Sequence, residues 1–241
     1  MFNKFTWTEK SQPRLSLLRQ YEPVQPFLFV AFSEATRARF AFDVGANVGA
    51  YSLFSTLVTS IEQVHAFEVE PTALEELRGN ISLNALESRV IVHEQAASSS
   101  SGRVEFLISA PMAGVNAVAT TTIHRRELYP TSIAVDAIAL DDHFGMRKNS
   151  LALKIDVEGH EIDVLRGLRG LIEGNSCVIQ AESYNNKQEL IAALAPSGYR
   201  LIFEALNDLY FSNHEALLAP EQVVQAIEVA AAHLIRASRP K

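Results

Sequence analysis

A single cysteine, Cys177, among 241 residues excludes an internal disulfide. Its apolar setting, Cys177-Val178-Ile179, fits a small buried hydrophobe rather than a reactive thiol. The chain also lacks any apolar run approaching the roughly 18 to 20 residues of a membrane span. Met1 to Lys10 has no unbroken apolar stretch of the kind a secretory signal needs, so the expected compartment is the cytoplasm. Basic residues are in deficit. With 21 Lys+Arg against 28 Asp+Glu, the net charge of −7 excludes whole-surface attraction to phosphate backbones or anionic lipid. No basic stripe with interleaved aromatics is present either, and a nucleic-acid partner is not expected. The histidines at 65, 93, 124, 143, 214 and 233 form no H-x-x-x-H pattern, so no zinc site is expected. There is no nucleophilic Ser or Cys signature, no internal repeat, and no linker rich in Gly, Pro or Ser.

What is present is the composition of a globular domain: 48% hydrophobic and 20% charged residues. Residues 1–38 carry Pro13, Pro23 and Pro26 and a mixed apolar pattern, which predicts short helices forming a cover. From Arg39 onward, short apolar runs alternate with helical periodicity, the mark of crossover units on a parallel sheet. The expected order is strand Phe40 to Val44, helix Val48 to Thr59, strand Gln63 to Glu68, helix Thr72 to Asn84 and strand Arg89 to His93. An insertion of antiparallel hairpin character follows over 103–140, after a polar turn at Ser98 to Gly102. The α/β order resumes with strand Leu151 to Val157, helix His160 to Ile172, strand Cys177 to Glu182 and helix Lys187 to Ala195. Tyr199 to Glu204 and Leu209 to Phe211, separated by Asn207-Asp208, read as a closing hairpin. In the segment 213–241, Pro220 opens a helix whose apolar face is Val223, Val224, Ile227, Ala230, Ala231, Leu234 and Ile235. That face packs on the sheet domain or pairs with a second copy in a homodimer. The organisation expected is one domain, 39–212, with decorated ends.

The strongest local signal is Phe42-Asp43-Val44-Gly45-Ala46-Asn47-Val48-Gly49, an apolar strand entering a small-residue turn and then a helix. Gly45 and Asn47 suit left-handed backbone, and Gly49 permits close packing of the helix. Unpaired amides at the helix start favour an anionic group on a ligand. A dinucleotide fingerprint needs G-x-G-x-x-G; Asn47 fills the second place and Gly49 comes one position early, which disfavours pyrophosphate. A carboxylate suits the turn better, and Asp43 suits an ammonium or sulfonium. S-adenosylmethionine has these features. Glu68 closes the second strand, where an acid in doubly wound folds accepts hydrogen bonds from ribose hydroxyls.

A second signal is Leu151 to Glu158, in which period-two alternation would put Lys154, Asp156 and Glu158 on one side. Charges on a central strand are tolerable where they pair or face a cleft. Ligands in such folds lie outside the carboxyl ends of the strands, where Asp156 and Glu158 fall, with Glu182 ending the next strand. Either a buried ion-pair network, Lys154 with Glu182 or Asp156, or a catalytic cluster meets that requirement. In a catalytic cluster, Asp156 takes a hydroxyl proton, Glu158 and Glu182 position the hydroxyl, and Lys154 orients the acids. The same carboxylates could instead hold Mg²⁺, although nothing in their spacing indicates a metal. His160 reads as a helix-start residue, and Glu161 favours the positive helix end.

These residues carry a resemblance. Asp43-Val44-Gly45-Ala46-Asn47-Val48-Gly49, Ala66-Phe67-Glu68 with Leu77-Arg78-Gly79-Asn80, and Leu153-Lys154-Ile155-Asp156-Val157-Glu158-Gly159-His160-Glu161 resemble, in order and spacing, the signature blocks of the FkbM family of S-adenosylmethionine-dependent methyltransferases. The resemblance covers roughly residues 39–204. Val69 departs from it, standing where the family often has proline, and Pro71 restores the turn. The resemblance implies a class I, Rossmann-like methyltransferase fold: a doubly wound, mostly parallel sheet with an antiparallel edge hairpin. It implies cofactor contacts at Asp43, Gly45, Asn47, Gly49 and Glu68, with Gln95 and Ala96 near the adenine. The implied activity is O-methylation of a sugar, glycolipid or other secondary metabolite, a small hydroxylated acceptor. A non-catalytic cofactor-binding or partner subunit of the same fold is the alternative. A nicotinamide-dependent oxidoreductase is a third reading, weakened by Asn47.

Overall fold

The computed structural model describes residues 1–237, with side chains of the last helix described as far as His233. Two helices, α1 (Ser11–Tyr21) and α2 (Gln25–Ala35), precede the first strand. The order then runs β1 (Phe40–Val44), α3 (Ala50–Ser55), β2 (Gln63–Phe67), α4 (Pro71–Leu83), β3 (Val90–His93), β4 (Ala96–Ala97), β5 (Gly102–Ile108), β6 (Ala117–Val118) and β7 (Thr131–Ile138). It continues with β8 (Ser150–Ile155), α5 (Glu161–Gly167), α6 (Arg169–Glu173), β9 (Ser176–Glu182), α7 (Lys187–Leu194), β10 (Arg200–Ala205), β11 (Asp208–Ser212) and α8 (Pro220–Ala237).

The main sheet has the order β10-β11-β9-β8-β1-β2-β3. Pairing is parallel from β9 through β3, whereas β11 runs antiparallel to β9 and to β10. This is the mostly parallel, doubly wound sheet with an antiparallel hairpin at one edge. Apolar layers cover both faces. On one side Phe42, Leu153, Ile155 and Ile179 pack with α5, α6 and α7; on the other Ala41, Ala152, Val178 and Tyr210 pack with α2, α3 and α8. Residues 96–138 build a second sheet, β4-β7-β5-β6, whose core is the antiparallel β5/β7 ladder from Gly102↔Ala137 to Ile108↔Thr131.

Three expected elements differ in detail. The helix expected over 48–59 is regular only over Ala50–Ser55. Its end is consumed by side chains that bond back to the backbone, Ser55 Oγ to the Tyr51 carbonyl and Thr56 Oγ1 to the Leu53 carbonyl, both 2.7 Å. The helix expected over 160–172 is broken into α5 and α6 at Gly167-Leu168. A Cβ at Gly167 would fall 1.8 Å from the Ser98 carbonyl oxygen, so the loop into the second sheet crosses the helix there. The strand expected to reach Val157 ends at Ile155, and the chain turns through Glu158 and Gly159, both at positive φ.

The apolar face of α8 packs through Val223, Ala226 and Ile227 in the core layer that α2 shares, and Ala230 is buried, whereas Val224, expected on that face, points to solvent and is exposed. The side chains of Leu234 and Ile235, assigned to the same face from the sequence, lie outside the described residues. Cys177 is fully buried, as its apolar neighbours require, and burial pushes its thiol up to about 12. Among the described residues no helix is long and apolar enough to cross a membrane.

Candidate active site

The carboxyl ends of β1, β2 and β8 open into a cleft, roofed by the second sheet and by the loop that joins β5 to β6. Of the residues singled out from the sequence, Gly45, Asn47, Glu68, Gln95, Ala96, Asp156 and Glu158 line it. Gly45 is required twice over. Its φ is +83°, and a Cβ there would fall 1.9 Å from the Asp156 carbonyl oxygen, so β1 and the end of β8 touch through backbone. Asn47, at φ +50°, locks the turn: its Oδ1 accepts from Val48 N at 2.9 Å, and its Nδ2 donates to the Met112 carbonyl at 3.3 Å.

Glu68 is buried and held by backbone donors. Asn47 N donates to Oε2 at 2.7 Å, while Val69 N and Glu70 N donate to Oε1 at 2.7 and 2.8 Å. Burial raises its pKa, and these amides oppose the rise. A carboxylate oxygen has two acceptor sites, so Oε2 keeps one for a ligand. Glu70, beside it, caps α4 through Thr72 N and Ala73 N and accepts from Met112 N at 3.0 Å. The β5–β6 loop is therefore latched at Met112 to both Asn47 and Glu70. The accessible volume of the cleft is small, about 80 Å³.

Asp43 and Gly49, expected as cofactor contacts, and Lys154 and Glu182, expected around Asp156, are not among the residues that line the cleft. Asp43 is buried behind the turn and accepts a 2.6 Å hydrogen bond from Ser52 Oγ, tying β1 to α3. Burial pushes its carboxyl up to about 6, against the Ser52 bond. A Cβ at Gly49 would fall 2.4 Å from Leu77 Cδ1, so this glycine serves the packing of α3 on α4. Lys154 is fully buried, and its partner is Asp208, at 2.9 Å, rather than Glu182; Asp156 lies at 3.6 Å. In sheet register, Asp43, Lys154, Gln180 and Tyr210 form a polar row across one face. Gln180 donates to Asp208 at 2.6 Å and to the Tyr51 hydroxyl at 2.9 Å, and Tyr51 donates to Glu22. Burial works against the Lys154 charge, but Asp208 and then Asp156 hold it well above its ordinary value.

Ligand oxygens of Asp156, Glu158 and Glu182 lie within 4.8 Å of one another. Alternation does not bring Glu158 there, because the strand has ended; the left-handed turn at Glu158 does, with φ +53°. Burial pushes Glu158 up to about 8, reinforced by Asp156. Glu182 rises to about 11, from burial and then Asp156. Burial also opposes the charge on Asp156, yet Lys154, a hydrogen bond from Glu182 and Arg14 hold it below its ordinary value. The directions agree: the negative charge of the cluster is held at Asp156, and both glutamic acids are pushed towards their protonated forms.

His160 sits at the start of α5, as expected, and it bridges Ser98 Oγ at 2.9 Å and Thr121 Oγ1 at 2.7 Å. Glu161 orders the preceding turn by accepting from Gly159 N at 3.0 Å. Two site residues escaped the sequence reading. His124, from the loop between β6 and β7, places Nε2 3.0 Å from Glu158 Oε2. Arg14, from α1, lines the cleft mouth. Neither sits in a motif, and only the fold brings them to the acids.

Comparison with known proteins agrees with this geometry. The family model described as the methyltransferase FkbM domain matches residues 43–215. The hexuronic acid methyltransferase AglP of Haloferax volcanii is 27% identical over 177 residues, which cover 72% of this chain and 68% of that protein. The crystal structure of a methyltransferase FkbM from Methylobacillus flagellatus KT superimposes with a TM-score of 0.51 at 17% identity, over 73% of this chain and 44% of that one. The chain thus spans less than half the length of that structure, and the likeness shows a shared fold. With the family model matching well over half of its residues, the chain belongs to the FkbM methyltransferase family, on a class I methyltransferase fold.

Proposed function

We propose that this protein is an S-adenosylmethionine-dependent O-methyltransferase acting on a hydroxyl of a sugar, glycolipid or other secondary metabolite. The observation that carries the reading is geometric: the Asp156 carboxyl, at the end of β8 and against the buried Lys154, shares one cleft with a glycine turn and a buried strand-end acid. The donor set fits the cofactor: bare backbone at Gly45 for the amino-acid end, a free acceptor site on Glu68 for the ribose, and Gln95 with Ala96 beyond it for the base. When bound, S-adenosylmethionine supplies an electrophilic methyl group.

The protein's own residues then do the rest. Asp156 accepts the proton of the acceptor hydroxyl as its oxygen attacks, and Lys154 behind it keeps that carboxylate ionised. Glu158 and Glu182, protonated, donate hydrogen bonds that orient Asp156 and the hydroxyl. In-line alignment of the acceptor supplies much of the remaining rate. The accessible volume of about 80 Å³ is below the roughly 300 Å³ at which small-molecule sites begin, and release of the Met112 latch on the β5–β6 loop would widen the cleft for loading. Residues 1–38 act as the cover and 39–212 as the catalytic body. AglP, named as a hexuronic acid methyltransferase, supports a sugar acceptor. The test is a mass-spectrometric screen of hydroxylated acceptors with S-adenosylmethionine, in which a product heavier by one CH₂ is expected. Absence of product across sugars, glycolipids and small polyols, with the cofactor bound, removes the catalytic reading.

A further inference from the structure

The cleft contains a cation, Arg14, whose charge reaches Asp156 and Glu158 without a direct bond to either. Arg14 lines its mouth, and among the described residues its guanidinium makes no hydrogen bond or ion pair. Several other arginines are paired, Arg39 with Glu62 at 2.9 Å and Arg126 with Glu105 at 2.9 Å among them. Asp156 and Glu158 feel the charge of Arg14, but Asp156 is engaged by Glu182 and Lys154, and Glu158 by His124. The position of Arg14 is built. One turn earlier on α1, Ser11 Oγ donates to Glu76 Oε2 at 2.9 Å and accepts from Asn80 Nδ2 at 2.9 Å, which pins the helix to α4. On the other side, a Cβ at Gly114 would fall 2.7 Å from Nη2 and 3.1 Å from Nη1 of Arg14, so the missing side chain at 114 makes room for the guanidinium.

An arginine keeps its charge and presents a planar fork of donors, which matches a carboxylate with two parallel bonds. The neighbouring acids oppose a multiply charged anion such as a phosphate, whereas a single carboxylate bearing an ammonium or hydroxyl nearby suits them. We propose that Arg14, seated on Gly114, is a carboxylate-binding residue of this cleft, taking either the amino-acid carboxylate of the cofactor or a carboxylate on the acceptor. The inference rests on the cofactor reading above and deepens it.

The test compares wild type, Arg14→Gln and Arg14→Lys, each shown by its unliganded melting temperature to be folded. In one arm, calorimetry measures S-adenosylhomocysteine and its decarboxylated analogue. In the other, ligand-observed NMR on protein saturated with S-adenosylhomocysteine measures methyl glucuronide and methyl glucoside. Arg14→Gln is expected to lose about tenfold or more in affinity for one carboxylate-bearing probe, with its carboxylate-free counterpart unchanged and partial recovery in Arg14→Lys. A loss confined to S-adenosylhomocysteine assigns the subsite to the cofactor, and a loss confined to the glucuronide assigns it to the acceptor. Unchanged behaviour in both arms, absence of any glucuronide binding included, overturns the subsite while leaving the cofactor reading intact. A loss that falls equally on the carboxylate-free probes overturns it too. Failure of wild type to bind S-adenosylhomocysteine overturns the cofactor reading itself and the subsite with it.

Discussion

The two acid-bearing ends of the cleft are built on different principles. At the end of β2, Glu68 is fixed by three backbone amides, neutral donors that come from the turn and from the start of α4. At the end of β8, Asp156 is fixed by charge, with Lys154 behind it and Arg14 and Glu182 around it. The first arrangement gives an acceptor of constant geometry, suited to holding a ligand. The second gives a carboxylate whose proton affinity is set by neighbours that themselves titrate, suited to moving a proton. On the proposed function, binding falls to the amide-held acid and chemistry to the charge-held one.

Replacing the charge-held acid should have the largest effect and should separate the two ends. Asp156→Asn is expected to lower kcat by about 10² to 10⁴-fold, with S-adenosylhomocysteine affinity retained in a calorimetric titration; unchanged turnover would break the assignment. Next is Lys154→Met, which leaves Asp208 buried without its cation and should destabilise the fold by about 3–5 kcal/mol in denaturant unfolding. A loss close to zero would show that the Asp208 charge is met elsewhere. Glu68→Gln turns one acceptor oxygen into a donor facing backbone N–H groups and should cost about 1–3 kcal/mol of stability, with weaker cofactor binding. Cofactor affinity equal to wild type would move the ribose contact off Glu68.

The smallest effect concerns pH. Because the folded pKa of Glu158 is raised from 4.5 to about 8, its protonated form supports the fold fully below pH 4.5, and that support is lost as pH rises towards 8. Melting temperatures of Glu158→Gln relative to wild type should therefore climb between pH 5 and pH 8 and level off above. A flat difference would mean that Glu158 is not protonated in the folded state.

The amide-held half was largely legible in the sequence, because a strand, a small-residue turn and a strand-end acid are local in the chain and obey local rules. The limits of that legibility are instructive. Asp43 carries the right side chain at the right strand end, but the pleat turns it towards α3, and only the contact with Ser52 reveals this. The charge-held half depends on non-local pairing. Lys154 finds Asp208 two strands away, because the hairpin returns β11 antiparallel beside β9. Glu158 reaches Asp156 through a left-handed turn that a non-glycine residue rarely adopts, so period-two counting gave the right neighbours for the wrong reason. His124 and Arg14 arrive from the insertion and the cover, segments with no motif of their own.

The account stands most directly on a calorimetric titration of the full chain with S-adenosylhomocysteine. It predicts saturable binding at one site per chain, preserved in Asp156→Asn and weakened in Glu68→Gln. No binding heat with wild type across the accessible concentration range, or equal loss in both variants, would contradict it.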